Sequence, residues 1–455
     1  EGDNLDVLKC LREDYLGAVK MIYIDPPYNT GKDFVYRDNY AKDKEEFEKE
    51  SGYTDEEGNK TVDPMVRNTE ANGRFHTDWL NMMYPRLKVA RDLLSDDGVI
   101  FISIDDNEVE NLRKICDEIF GKDNLVASLI WEQGRKSMAA QIAVNHEYCL
   151  IYCKNRKLCI ASDSINDNNN WRTRKRGLDK IYAEEDRLVS VYGGDVAKIE
   201  KGLSAFYKSL ADDDPAKSQS HYKKFDPCLG IYYQGDISQG TGKGGRFPIV
   251  HPVTGRPCKC PSGGWRFSES KLPELLASNR IAFGNDETTV PCIKRFLRET
   301  EYEVFASVFY KDGRGASKRL DSLLGKGIFP YPKDEDIIKT FVSLATSYPQ
   351  SDSIILDFFS GSATTAHAVM KLNAEDGGHR KFIMVQLPEL TDEKSEAYKA
   401  GYKNICEIGK ERIRRAGKAI RNEKLGIRNE GDAAIPNLES IPNSSLQIPN
   451  SKAIP

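Results

Sequence analysis

Hydrophobic residues in this chain fall into short runs between polar turns, and their spacing changes from one region to the next. Near the start, Met21-Ile22-Tyr23-Ile24 is a continuous apolar run that ends on Asp25-Pro26-Pro27-Tyr28, the pattern of a buried strand closed by a stiff turn. Residues 38–73 are polar and charged and contain Gly and Asn, so they read as a long excursion. From Asp78 to Leu94 the apolar positions Leu80, Met83, Leu87, Ala90 and Leu94 recur at helical spacing, and Pro85 is expected to kink that helix or to mark its first turn. Ser95-Asp96-Asp97-Gly98 then reads as a turn and Val99–Ser103 as a second buried strand. From about 131 to 318 the periodicity is poor. Tyr148–Tyr152 is strand-like, and the Gly- and Pro-dense stretch from Asp236 to Trp265 predicts loops and short β-elements. Between about 320 and 425 the alternation returns, with strands at Ile354–Asp357 and Phe382–Val385 around a helix at Thr364–Leu372. Alternation of this kind at both ends implies a mainly parallel sheet covered by helices. The last thirty residues carry a loose Ile-Pro-Asn repeat rich in Pro and Ser, for which disorder is the expected state.

Composition changes this picture little. The 455 residues allow several domains, and no apolar run approaches the roughly 20 residues of a membrane span. The net charge of −4 carries no global nucleic-acid signal, although basic residues clustered on one face can still bind DNA. Ten irregularly spaced cysteines, with Cys116 and Cys149 inside apolar runs, fit a reducing cytoplasm rather than a disulfide framework. The chain starts at Glu1 and enters a motif almost at once, which is read as a fragment without its natural N-terminus.

Two constellations carry chemistry. Asp25-Pro26-Pro27-Tyr28 follows a strand, at the edge where open α/β sheets bind ligands. The amine of adenine is a poor nucleophile because its lone pair is delocalised into the ring. The Asp25 carboxylate and the Pro26 carbonyl accepting its two hydrogens would free that lone pair. The prolines fix the carbonyl's direction and offer no competing N–H, and Tyr28 offers a face on which an extruded base can stack. Taken alone, the same four residues also suit a plain proline-stiffened turn. The second constellation, Asp357-Phe358-Phe359-Ser360-Gly361-Ser362-Ala363-Thr364-Thr365, is a strand, a small-residue turn and a helix start, where backbone amides favour a carboxylate. Downstream of the next strand, Glu389, with Gln386 second, is the candidate for a ribose hydroxyl.

Together these residues resemble the DNA amino-methyltransferases. Tyr23–Gly31 is similar to their catalytic motif, and Asp357–Thr365 to their cofactor loop. The order, with the catalytic motif first, then a long variable region, then the cofactor motif, is similar to the permuted β class. Gly2-Asp3-Asn4 resembles the acidic motif that lines the cofactor adenine, and Phe329-Pro330-Tyr331-Pro332-Lys333 the segment that closes over the methionine end. The excursion after Thr30, His146-Glu147-Tyr148 and Gly263-Gly264-Trp265-Arg266 resemble the modification subunits of type III restriction–modification systems. Two positions depart from the pattern: Ala363 stands where a second Gly is common, and Asp334 where a Pro is commoner.

The resemblance implies an α/β fold: a permuted Rossmann-like methyltransferase sheet with helices on both faces, plus an inserted mixed α+β target-recognition domain. Residues 1–130 and 319–425 would form the methyltransferase domain, catalytic half then cofactor half. Residues 131–318 would recognise the target, and 426–455 would be a disordered tail. The implied activity is transfer of a methyl group from S-adenosyl-L-methionine to the N6 amine of a flipped-out adenine in double-stranded DNA, in a bacterial cytoplasm. Asp25, Pro26, Pro27 and Tyr28 would be catalytic. Asp3, Asn4, Phe329, Lys333, Asp357, Phe359, Gly361, Ser362, Thr364 and Glu389 would bind the cofactor. A homodimer and a restriction helicase–nuclease partner are implied as well. The rivals are N4 methylation of cytosine, a non-catalytic DNA-binding module on the same fold, and a small-molecule enzyme. Asp rather than Ser at position 25 leans toward adenine.

Weaker signals lie in the middle region. Arg172, Arg174, Lys175 and Arg176 beside Trp171, with Lys243, Arg246, Arg256 and Arg266 further on, suit DNA phosphates or simply a solvated face. Cys258 and Cys260, with Cys228, His251 and Cys292 nearby, lack the two-to-four-residue gap of structural zinc pairs, so no metal is expected. His367 reads as a packed helix residue.

Overall fold

The computed structural model describes residues 1–31, 34–36, 65–68, 73–134, 141–159, 171–346 and 352–424. Most of the expected excursion and all of the expected tail lie outside these residues. Seven strands make the main sheet: β1 (Val19–Ile24), β2 (Leu94–Ile104), β3 (Leu125–Glu132), β4 (His146–Cys153), β5 (Val308–Tyr310), β6 (Ile354–Asp357) and β7 (Lys381–Met384). Their spatial order is β5-β3-β4-β2-β1-β6-β7. β4 alone runs against both of its neighbours, and the remaining pairings are parallel.

The seam of the sheet lies between β1 and β6, where Val19 pairs with Ile354 and Ile22 with Leu356. Strands from the two ends of the chain therefore sit side by side, which is the permuted arrangement expected. Alternation along β1 and β2 divides the core into two layers. Ile22, Ile24, Ile100 and Ile102 face α1 (Asn4–Tyr15) and α2 (Phe75–Leu93) through Leu8, Trp79, Met83 and Leu87. Met21, Tyr23, Val99 and Phe101 face α3 (Glu335–Ala345) and α4 (Thr364–Asp376) through Ile338, Phe341, Ala368 and Val369.

Several expectations need correction. The helix expected from Asp78 to Leu94 starts at Phe75, and Leu94 already belongs to β2. Pro85 lies inside that helix, on its buried side, and not in its first turn. The turn expected at Ser95–Gly98 is absorbed into β2, yet its chemistry is visible. The β1 partner jumps from Leu94 to Val99 between Val19 and Met21, so Ser95–Gly98 bulges out of the ladder. A side chain on Gly98 would meet the Ser95 carbonyl oxygen at 2.8 Å, so only Gly fits.

The middle region is more regular than its composition suggests. It contains two long helices, Leu178–Tyr192 and Val196–Ser209, and a four-stranded antiparallel sheet built from Lys224–Asp226, Gly230–Gly235, Ile281–Ala282 and Cys292–Phe296. Leu178, Ile181, Leu188, Ile199, Leu203 and Tyr207 form part of its own core. Loops and isolated bridges do prevail around Gly244–Trp265, where a Cβ on Gly263 would fall on the Gln239 carbonyl. The main sheet also takes up β4 and β5 from between 131 and 318, so the stretch standing apart from it is narrower than that range.

Candidate active site

Asp25 leaves the sheet directly after β1, whose six residues are all buried. The turn that follows is held from several sides. Trp79 Nε1 donates to the Pro27 carbonyl at 2.7 Å, whereas the Pro26 carbonyl has no hydrogen bond among the described residues. Asn29 has φ +60°, and its amide donates to the buried Glu108 carboxylate at 2.6 Å. Glu108 also binds His76 Nδ1 at 2.6 Å and accepts from Asn111 at 2.8 Å, and Asn68 donates to Asn29 Oδ1 at 2.9 Å. The turn is thus fixed largely by side chains from outside the motif.

Above this turn lies a cluster of charged groups. Lys333 Nζ donates to both Glu147 oxygens, at 2.9 and 2.8 Å, and to Tyr28 Oη at 2.6 Å. It lies 3.3 Å from Asp25 Oδ1, near enough for an ion pair but not aligned as a hydrogen bond, and this buried oxygen has no hydrogen-bond partner. Burial pushes the Asp25 carboxyl up from its ordinary value, with Lys333 opposing and Glu147 adding to the rise. Burial likewise pushes the Tyr28 phenol well up, aided by Asp25 and Glu147. For Lys333 burial acts the other way, but Asp25 and Glu147 together hold its pKa above the ordinary value. The group is therefore two carboxylates sharing one ammonium.

The second motif sits on the adjacent strand, β6. Asp357 Oδ1 accepts from Phe359 N at 3.1 Å and Oδ2 from Thr365 Oγ1 at 2.6 Å, so its carboxylate spans the loop. Burial pushes it up to about 7. Gly361, at φ +49°, donates its N–H to Gln386 Oε1 at 2.8 Å. Ala363 is at φ +60°, the left-handed region where Gly is easiest, which explains why a second Gly is common there. No side chain caps the N-terminus of α4. Phe329 packs beside Gly361. Asp334, in the place of a commoner Pro, caps α3 by accepting from Asp336 N and Ile337 N, and so sets the direction from which Lys333 enters.

The expected site residues are distributed as follows. Asn4 donates to the Phe358 carbonyl at 3.0 Å, which brings the N-terminal motif against the cofactor loop. Asp3 caps α1 and pairs with the buried Arg86 at 3.2 Å. Gln386 reaches the loop by its side chain, and Glu389 is tied through its backbone to Leu387 and Ile405. Ser362 and Thr364 accept from Arg412 Nη1 at 2.8 and 2.7 Å. Lys333, assigned by resemblance to the cofactor's methionine end, reaches the Asp25 cluster. Among the basic residues, Arg172, Arg176, Lys243 and Arg266 are exposed. Arg174 is paired with Asp179 and Glu301, Lys175 is bonded to Tyr222 and Thr300, Arg246 donates to the Ser262 carbonyl and Arg256 pairs with Glu287. His251 staples a loop, accepting from Val253 N and Thr254 N. His367 is packed, with burial first and Arg412 second pushing its pKa down to about 3.

Sequence reasoning missed Glu147 as a site residue, along with Glu108, Arg86 and Arg412. A signal existed for each arginine. Arg412 falls in the buried stripe Ile408, Gly409, Arg412, Ala416 of α5 (Ile405–Lys424), and Arg86 between Met82, Met83 and Leu87, where a charge needs a partner.

The sequence profile of DNA methylases matches residues 19–416, a span that contains both motif turns and the middle region. The chain belongs to the DNA methylase family. The chain is similar to the EcoP15I Mod subunit of a type III restriction–modification enzyme from Escherichia coli, at 36% identity over 432 residues, covering 94% of this chain and 64% of the relative. It is similar also to the StyLTI Mod subunit from Salmonella typhimurium, at 32% identity, covering 94% of this chain and 59% of the relative. The chain thus spans less than two thirds of the length of these curated relatives. Among solved structures, the cytosine-N4-specific PvuII DNA methyltransferase superposes at a TM-score of 0.37 and 11% identity, covering 91% of each chain. Among the described residues no helix is long and apolar enough to cross a membrane.

Proposed function

We propose that this methylase transfers a methyl group from S-adenosyl-L-methionine to the N6 amine of an adenine extruded from double-stranded DNA. The observation that carries this reading is the pair of acceptors at the end of β1: a buried Asp25 oxygen without a hydrogen-bond donor and a Pro26 carbonyl without a partner among the described residues. An unpaired buried acceptor is destabilising, and it persists where a substrate donor completes it. The two acceptors match the two hydrogens of an amine, and Tyr28 lies two residues beyond Pro26 to receive the ring.

The loop after β6 fits the cofactor on its own geometry. Its turn has positive φ at Gly361 and Ala363, aromatic walls at Phe329 and Phe359, and an α4 N-terminus that no side chain caps. Phe329, Asp357, Phe359, Gly361, Ser362, Thr364 and Gln386 or Glu389 would hold it, with Asp3 and Asn4 behind. When bound, the sulfonium supplies an electrophilic methyl group. Asp25 and Pro26 then orient the amine, Tyr28 holds the ring, and the proton released from the methylated amine passes to Asp25 or water.

By the same reading residues 1–130 and 319–425, with the two strands that 131–318 adds to the main sheet, carry catalysis, and the rest of 131–318 recognises the target, with Arg172, Arg176, Lys243 and Arg266 against phosphate. Similarity to two Mod subunits supports a modification subunit of a type III system; the same reading takes it to act in the bacterial cytoplasm as a homodimer with a restriction subunit. The test is transfer of labelled methyl to unmethylated genomic DNA. N6-methyladenine formed by the wild type and lost in Asp25→Ala supports the reading. N4-methylcytosine would replace the substrate, and cofactor binding with no label would leave a binding module.

A further inference from the structure

An ammonium has three N–H donors. Lys333 directs its donors at the Glu147 carboxylate, whose two oxygens lie at 2.9 and 2.8 Å, and at Tyr28 Oη at 2.6 Å. Asp25 Oδ1 lies farther off, feeling the charge at 3.3 Å without receiving a hydrogen bond. The division has a geometric cause. The alternation that places Met21 and Tyr23 on the α3 side of β1 carries on to Asp25, and the same side of β4 presents Cys149, Ile151 and, at its start, Glu147. Both carboxylates therefore look at the residue that enters just ahead of α3.

The site needs this division. A lysine fully paired with Asp25 would consume the acceptor that the target amine requires, and the amine would have to break a buried ion pair to bind. Tyr28 gains as well: its hydroxyl accepts from Lys333 and donates to Glu147 Oε2 at 3.2 Å, which fixes the ring. Nζ is 4.8 Å from the ring centroid but 2.6 Å from the hydroxyl, so it sits toward the phenol's hydroxyl end. We propose that Glu147 is a positioning residue of this site, which draws the Lys333 ammonium away from Asp25 and so keeps that carboxylate an acceptor for the incoming amine. The inference rests on the methyl-transfer reading above.

Two arms test it. In the first, Glu147→Gln lowers kcat on the order of 10²-fold, the size seen when one preorganised polar group is removed from an active site, with the KM for S-adenosyl-L-methionine unchanged. Glu147→Asp recovers part of the loss. Combined with Lys333→Met, the two losses do not multiply, because Glu147 acts through the lysine. Losses that multiply, or a Gln variant with wild-type kcat, overturn the proposal. In the second arm, a crystal structure of Glu147→Gln shows Lys333 Nζ hydrogen-bonded to Asp25. A lysine that stays away from Asp25 overturns the proposal. If the Gln variant fails to fold, Glu147→Asp carries both arms. A wild type that methylates no DNA would remove the underlying function, and the crystallographic arm would still decide the role of Glu147.

Discussion

Asp357 and His367 show how far burial, as the largest cause, can move a proton equilibrium, and they move it in opposite senses. The Asp357 carboxyl is raised from 3.8 to about 7, so between those values the folded chain holds a proton that the unfolded chain has lost. Stability from this group is complete below about pH 4 and is lost as pH rises toward 7. His367 is lowered from 6.5 to about 3, so across that window the unfolded chain holds the extra proton and stability is lost as pH falls. Between about pH 4 and 6.5 the two nearly cancel. Asp357→Asn removes one side of the balance, and its stability in urea should fall more steeply than the wild type's as pH drops from 6.5 to 4. A parallel pair of curves would show that Asp357 does not titrate as its burial implies. Arg86 belongs to the same scale. Its guanidinium is fully buried and serves Asn4, Asp3 and the Met82 carbonyl, so Arg86→Met should destabilise by about 1–3 kcal/mol in chemical denaturation.

The elements around the site were legible in unequal measure. Runs such as Met21–Ile24 and Ile354–Asp357 could only be strands, because they are too short for helices and end on turn residues. The helices of the middle region were overlooked although Ile199, Leu203 and Tyr207 recur at helical spacing. The Gly- and Pro-rich stretch that follows set the tone for the whole insert. That insert has its own core, which makes a separable prediction. Leu203→Ala should cost about 2–5 kcal/mol locally and weaken DNA retention, while cofactor affinity measured by calorimetry stays within about twofold. A matching loss of cofactor affinity would mean that insert and sheet unfold together. Trp79 sits at the other extreme, holding the Pro27 carbonyl from α2. Trp79→Phe keeps the packing but deletes that bond, so kcat should drop roughly tenfold with stability changed by about 1 kcal/mol.

At the scale of the whole molecule, the proposed function requires a net charge of −4 to coexist with DNA binding. Pairing settles part of this: Arg174, Lys175 and Arg256 are engaged within the insert, and Arg172, Arg176, Lys243 and Arg266 stay exposed. Neutralising those four to Gln should weaken retention on DNA and flatten its dependence on salt, by about 0.9 in the logarithmic slope for each phosphate left without its cation. An unchanged slope would place the DNA on another face.

Sequence by itself determined the proposed chemistry and the class of fold. Asp25-Pro26-Pro27-Tyr28 and the Asp357–Thr365 turn are local, each held in one short stretch whose residue types answer directly to what the proposed function would have them bind. Their order along the chain was enough to imply a permuted sheet. Tertiary structure decided everything that depends on distant segments meeting. Only the β1–β6 pairing brings the two motifs to one edge across more than three hundred residues of chain. Only the shared side of β1 and β4 sets Glu147 against Asp25, and only the α3 cap at Asp334 aims Lys333 between them. A buried charge takes its meaning from its partner, and no linear pattern names a partner that far away.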